Sequence, residues 1–205
     1  MIYLIEENIR STITDLNFVE RYGGIVRPVL VDTDTVPVSR YANLATCFDS
    51  GSNLLDLVPD DRYKSVAYWE QRSNVDVVPG SAKDQYWRIA VDLRLVVWLN
   101  LTKLGLTSYS DTDKMELQAL KAVRNLDGTH VDDGAYKFAI HSVLPRIVTR
   151  DPRVVFAPYT YNEKEWAFNY PYSFFGVDFT FNLMLAAGCI SDVELGAETT
   201  CITAW

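Results

Sequence analysis

The stretch Tyr86–Leu101, YWRIAVDLRLVVWLNL, changes its pattern part-way along. In its first ten residues Trp87, Ile89, Val91, Leu93 and Leu95 face one way while Arg88, Asp92 and Arg94 face the other, the period-two signature of a half-buried antiparallel strand. Val96, Val97, Trp98 and Leu99 then break the alternation, so this end is either buried on both faces or bulged. Upstream, SVAYWEQRSNVDVV (65–78) is a second β-rich run, joined to the first by the turn-forming PGSAKDQ. The two runs predict a long hairpin at the centre of an antiparallel sheet.

Helices flank this centre. Ile5, Ile9, Ile13 and Leu16 recur at intervals of four, four and three, predicting an amphipathic N-terminal helix with Gly23 and Gly24 available beyond its end. Downstream, DTDKMELQALKAVRNLDG (111–128) carries the apolar stripe Met115, Ala119, Ala122, Val123 and Leu126. Ser110 with Asp113 resembles a capping box, Asp111 opens the helix, Lys121 and Arg124 sit near its end, and Gly128 terminates it. The fold class is therefore α+β, an antiparallel sheet packed against an N-terminal helix and one well-capped central helix.

IVRPVLV (25–31) is a strand in which Pro28 demands an edge or a bulge. Residues 32–62 form a long loop or arm that has room for a short strand. AYKFAIHSVLPRIVTRD (135–151) is assigned to a strand after a short turn, although Pro145 breaks its pattern. RVVFAPY (153–159) and VDFTFNLML (177–185) are strand-like, and EWAFNYPYSFFG (165–176) is the loop feeding the second, its path fixed by Pro171 and Gly176. Residues 1–187 read as a single domain, and 188–205 as a tail whose Trp205 either folds back or docks on a neighbour.

Composition excludes several functions. In a chain of 205 residues, 48% hydrophobic residues suffice for a core that buries itself without staples. A formal charge of -8 argues against gripping nucleic acid, which requires Lys and Arg on phosphates. Cys47, Cys189 and Cys201 are odd in number and lack C-x-x-C spacing, so a reducing compartment and no disulfide framework are expected. The N-terminus lacks the basic and apolar regions of a signal peptide, and no window approaches the ~18 apolar residues of a membrane span. The reading is a protein made in the cytoplasm.

No catalytic set stands out, and no cofactor is expected. NLDGTHVDDG offers Asp127, His130, Asp132 and Asp133 as metal ligands but lacks the order of a calcium loop, so turn chemistry is favoured. His130 and His141 have no identifiable Ser or Cys partner; G-x-S-x-G, G-x-G-x-x-G and the P-loop pattern are all absent. Asp60–Asp61 reads as a turn cap. What is enriched is aromatic: of 5 Trp, 12 Tyr and 9 Phe, eleven fall between Phe156 and Phe181. Packing over the sheet or burial in a subunit interface outweighs a stacking platform, which for nucleic acid would be accompanied by basic residues. The expected interface residues are Trp166, Phe168, Tyr170, Tyr172 and Trp205.

The order of elements, with the stretches YWRIAVDLRLVVWLNL, MELQALKAVRNL and FAPYTYNEKEWAFNYPYSFFGVDFTFNLML, resembles the tail-terminator and head-to-tail neck proteins of tailed bacteriophages. The resemblance is one of pattern over residues 1–185 and is carried by no diagnostic motif. It implies a non-enzymatic virion component that forms a homo-oligomeric ring around the DNA channel. Its partners would be itself and neighbouring portal, adaptor or tail components, with DNA only as passing cargo. The alternative is a carbohydrate-binding or receptor-recognition module with Trp166, Tyr170 and Tyr172 as its platform.

Overall fold

In the computed structural model, residues 2–31, 34–39, 57, 59–78, 86–132, 137–160 and 168–186 are described. The element order is α1 (Ile2–Thr14), β1 (Arg21–Val31), β2 (Asp34–Ser39), β3 (Ser65–Gln71), β4 (Asp76–Val78), β5 (Tyr86–Asn100), α2 (Tyr109–Arg124), β6 (His130–Asp132), β7 (Lys137–Thr149), α3 (Pro152–Val155) and β8 (Tyr172–Ala186). The sheet runs β2-β1-β3-β5-β8-β7-β6, with β4 on β5 beside β3. The α+β expectation holds, and β5 is central, paired with β8 in unbroken register from Tyr86↔Ala186 to Asn100↔Tyr172.

That register settles the change of pattern in β5. No bulge interrupts Val96–Leu99 against either neighbour, and all four side chains are buried. Odd-numbered residues Ile89, Val91, Leu93, Leu95, Val97 and Leu99 join one core with Trp69 of β3, Phe175, Val177, Phe179 and Phe181 of β8, and Ile5, Ile9 and Ile13 of α1. Ala119 and Val123 of α2 complete this helix-covered side. Val96 and Trp98 point the other way, into a second core with Tyr68, Phe156, Tyr159 and Phe174. At about 1.5–3 kcal/mol for each large apolar side chain fully buried, the helix-covered face supplies most of the driving force.

Several sequence expectations need correction. The sheet contains one parallel pair, β1 with β3, because the chain turns outward into β2 and must return through residues 40–64 before β3 begins. The 32–62 arm thus carries the short strand it had room for; residues 40–56 and 58 lie outside the described residues. The hairpin is interrupted: between Gln71↔Leu93 and Asp76↔Ala90 the β3–β4 side advances five residues against three, so β3 and β4 are one strand with a two-residue excess.

Gly23 and Gly24 do not end α1; they lie in β1 at a register shift. A Cβ on Gly23 would stand 2.3 Å from Leu57 Cδ1, and Gly24 has φ 65 with Glu6 Oε1 2.9 Å from where its Cβ would be. Both positions are glycine because side chains pack onto the backbone there. Pro28 stands directly opposite Pro37 in the β1–β2 pair, a position where neither residue donates to the other.

The central helix starts earlier than its sequence suggests. Ser108 is the N-cap and accepts from the Ser110 backbone N–H at 3.1 Å, so the expected Ser110–Asp113 box is displaced by two residues. Asp113 instead meets Arg150. Residues 153–159 are not a strand, because Asp151 accepts from the Arg153 N–H at 2.9 Å and Pro152 occupies the first turn, together starting the short helix α3. Pro145 does not break β7; the strand continues through register shifts at Ile140/Ser142 and Pro145/Val148. Tyr172–Gly176 belong to β8 rather than to a loop, and Gly176 leaves room for Val155, whose Cγ2 would lie 3.2 Å from an added Cβ.

Candidate assembly surface

Beyond Val96 and Trp98, the face of the sheet opposite the helices is polar. Arg94 of β5 donates from Nε (2.6 Å) and Nη2 (2.9 Å) to the two oxygens of Asp178 on β8, and from Nη1 to the Val154 carbonyl at 2.6 Å. This fork ties α3 to the sheet. The bond to Asp178 holds the guanidinium even more firmly protonated than usual. Beside it Glu70 of β3 is buried, with Arg72 Nη1 3.6 Å away. Burial pushes the Glu70 carboxyl above the ordinary carboxylate range, against the nearby Tyr159 hydroxyl and the charges of Arg72 and Arg94; neither carboxylate oxygen has a hydrogen-bond partner among the described residues. Further along, Arg146 donates to Thr180 Oγ1 at 2.6 Å, and that hydroxyl donates to Asp92 Oδ1 at 2.6 Å.

The expected interface rings divide. Phe168 packs 5.0 Å from Phe156 and 5.7 Å from Phe174, and Tyr172 stacks on Trp98 at 5.3 Å. These two therefore belong to the chain's own second core. Burial, with Asp61 and Asp60 nearby, raises the Tyr172 phenol above its usual value. Tyr170 is different: it is 58% exposed and meets the 49% exposed Tyr109 edge-on at 6.0 Å. Trp166 and Trp205, like Cys47, Cys189 and Cys201, lie outside the described residues.

A surface absent from the expected set lies on β7. Its inner side pairs with β8, while β6 covers its outer side only at Lys137–Ala139. The Ile140 N–H and carbonyl are taken by the Thr129 carbonyl and the Gly128 N–H, each at 2.8 Å, and from His141 to Thr149 the outer edge has no strand partner among the described residues. Along and just past this edge Leu144, Ile147, Val148 and Val154 are 48%, 58%, 42% and 39% exposed. Side chains tie the edge to its neighbours: Arg146 donates to Thr180, and Arg150 reaches Glu116 (2.8 Å) and Asp113 on α2. The sequence signal was available in LPRIVTRDPRVV, where a proline inside a strand marks an unpaired side.

No protein-family model matches the chain, and no curated protein matches it.

Among the described residues no group of three or more His, Cys, Asp and Glu is arranged to hold a metal ion. His141 borders a shallow depression of about 400 Å³ with Arg88, Ser142, Asn182 and Met184, where Asn182 Nδ2 donates to Ser142 Oγ at 2.9 Å. Asp60 caps a turn, as its sequence suggests, accepting from the Arg62 N–H at 2.9 Å. No described helix is long and apolar enough to cross a membrane.

Proposed function

We propose that this chain is a structural assembly subunit, one copy of a homo-oligomeric ring of the phage neck or tail-terminator type, with no catalytic role. The observation that carries the reading is the outer edge of β7 beyond Ile140, which has no strand partner among the described residues, with Leu144, Ile147 and Val148 exposed along it and Val154 of α3 exposed just past it. Pro145 and the register shifts at Ile140/Ser142 and Pro145/Val148 interrupt the backbone ladder of this edge, so its exposed apolar side chains, rather than its free N–H and C=O groups, carry the contact. Here two pinned arginines and two fully buried cores show that the chain is otherwise well packed, so the exposed set is not a consequence of poor folding. Tyr170 and Tyr109 add a second exposed apolar spot near the N-terminus of α2.

The ring and its place in a virion come from the pattern resemblance; neighbouring portal, adaptor or tail components would contact its two rims, with DNA passing through the lumen. The acidic balance of -8 suits a channel that does not hold DNA. The carbohydrate alternative loses part of its platform, since Tyr172 has one ring face on Trp98. Size-exclusion chromatography with light scattering, and negative-stain imaging, test the proposal. Discrete closed oligomers are expected, with interfaces of ~1,600 Å² or more in total; a strict monomer at all salt and protein concentrations overturns it.

A further inference from the structure

We infer that the open end of the sheet face opposite the helices binds a small oxyanion, the carboxylate or phosphate-like group of a low-molecular-weight ligand, between Arg88 and His141. This site is independent of the assembly surface proposed above.

The backbone brings the site together. Arg88 of β5 is level with Met184 of β8, and Ala90 with Asn182, so these four side chains share one face. On β7, Ile140 pairs with Leu183 and Ser142 with Asn182, which leaves His141 as the extra residue of a bulge. A bulge re-aims a side chain, and here His141 and Ser142 line one depression together. The depression holds about 400 Å³, within the range of small-molecule sites. Val155, Phe156 and Tyr159, which cover this face around Trp98, are not among the residues that line it.

The donor set points to an anion. The lining offers a guanidinium, an imidazole, a hydroxyl and an amide, and no carboxylate. Arginines elsewhere on this face are committed, Arg94 to Asp178 and Arg146 to Thr180. Arg88 and His141 have no hydrogen bond or ion pair among the described residues, in a chain with 27 Asp and Glu against 19 Lys and Arg. Asn182 Nδ2 donates to Ser142 Oγ at 2.9 Å, so the Ser142 hydroxyl keeps its own hydrogen to give to a ligand. A guanidinium meets an oxyanion with two parallel N–H bonds, and the serine and imidazole add further donors.

Neighbouring charges limit what fits. Asp92, two residues along β5 from Ala90, already accepts from Thr180 and Ser73, and Asp76 of β4 is level with Ala90. With these two carboxylates on one flank the depression suits a single small anion and not a polyanion. His130 of β6 lies in the row of Arg88 and Met184, beyond Ala139. Protonation of His141 adds a second cation beside the ligand, so binding tightens as pH falls across the range in which imidazoles take up a proton. By reciprocity the bound anion raises the proton affinity of His141.

Imidazole signals of the full chain are followed by NMR as sodium sulfate or sodium acetate is added, with sodium chloride at equal ionic strength as reference. Sulfate stands in for phosphate because it does not titrate near neutral pH. His141→Gln assigns the two histidine signals. The His141 signal should shift saturably and its titration midpoint should move to higher pH, while His130 moves less. Arg88→Met should weaken binding about tenfold or more, and Arg88→Lys less. Arg88 is exposed, and an unchanged melting transition verifies that both variants fold. Saturation by sulfate alone supports a phosphate-like ligand, and by acetate alone a carboxylate. No saturable shift beyond chloride with either anion, equal movement of both histidines, or undiminished binding in Arg88→Met overturns the anion site and leaves the assembly reading as it stands.

Discussion

The two faces of the sheet are built from the same strands in different ways. On the helix-covered face, β5 and β8 present Ile89, Val91, Leu93 and Leu95 against Phe179 and Phe181, and Trp69 lies 5.7 and 5.9 Å from those two rings. On the opposite face the aromatic core ends at Trp98, and Arg94, Asp178, Glu70 and Tyr159 take over. One face is held by area and shape, the other by a few directional bonds, and the two should fail differently.

The largest effect is expected where shape decides. Phe179→Ala should cost about 3–5 kcal/mol in urea unfolding, because the fully buried ring packs against Trp69 at 5.7 Å and Phe181 at 6.2 Å and its loss leaves a cavity. A cost below about 1 kcal/mol would mean that the helix-covered face is loosely packed, and the contrast between the faces would fail. Next, Arg94→Met should cost about 3 kcal/mol, since it strands Asp178 and leaves the Val154 carbonyl without its donor. The loss should also increase proteolysis near α3 before global unfolding, whereas Phe179→Ala should not separate the two.

Gly24→Ala tests the bulge that joins α1 to the sheet. With φ 65 and Glu6 Oε1 close by, the substitution should cost about 1–2 kcal/mol, measured by thermal unfolding. The smallest effect is a slope. Because the Glu70 carboxyl is raised in the folded state, the folded chain holds its proton where the unfolded chain has released it, so stability falls as pH rises from the ordinary carboxylate range through the raised folded value. Glu70→Gln should remove that decline, gaining on the wild type at neutral pH and losing the gain in acid. An unchanged pH profile would mean that Tyr159, Arg72 and Arg94 fully offset the burial of Glu70.

Much of this molecule was legible locally. Ile5, Ile9 and Ile13 recur at helical spacing and Val177 to Leu185 alternate because side-chain direction follows backbone period, whatever the neighbours are. The capping signal was found but misplaced by two residues, since Ser108 and Ser110 are equivalent in sequence and differ only in backbone conformation. The short helix α3 was missed because Val154, Val155 and Phe156 favour strands, and a preceding Asp-Pro overrides that preference in the folded chain.

The aromatic segment shows where local reading stops. Its composition indicated rings that something must cover, and Tyr170 fits that description, but Phe168 and Tyr172 are covered by Phe156, Phe174 and Trp98 from elsewhere in the same chain. Pro145 hints that one side of β7 is unpaired, but how far is not a property of its residues: β8 is flanked on both sides, whereas β7 has no strand partner beyond Ile140 on its outer side among the described residues. By itself the sequence determined the periods, and through them the α+β class and the face each strand turns to the helices. Only the tertiary structure decided strand order, the parallel β1–β3 pair and the open edge, because these depend on which distant segments meet, a matter of long-range closure that no local period encodes.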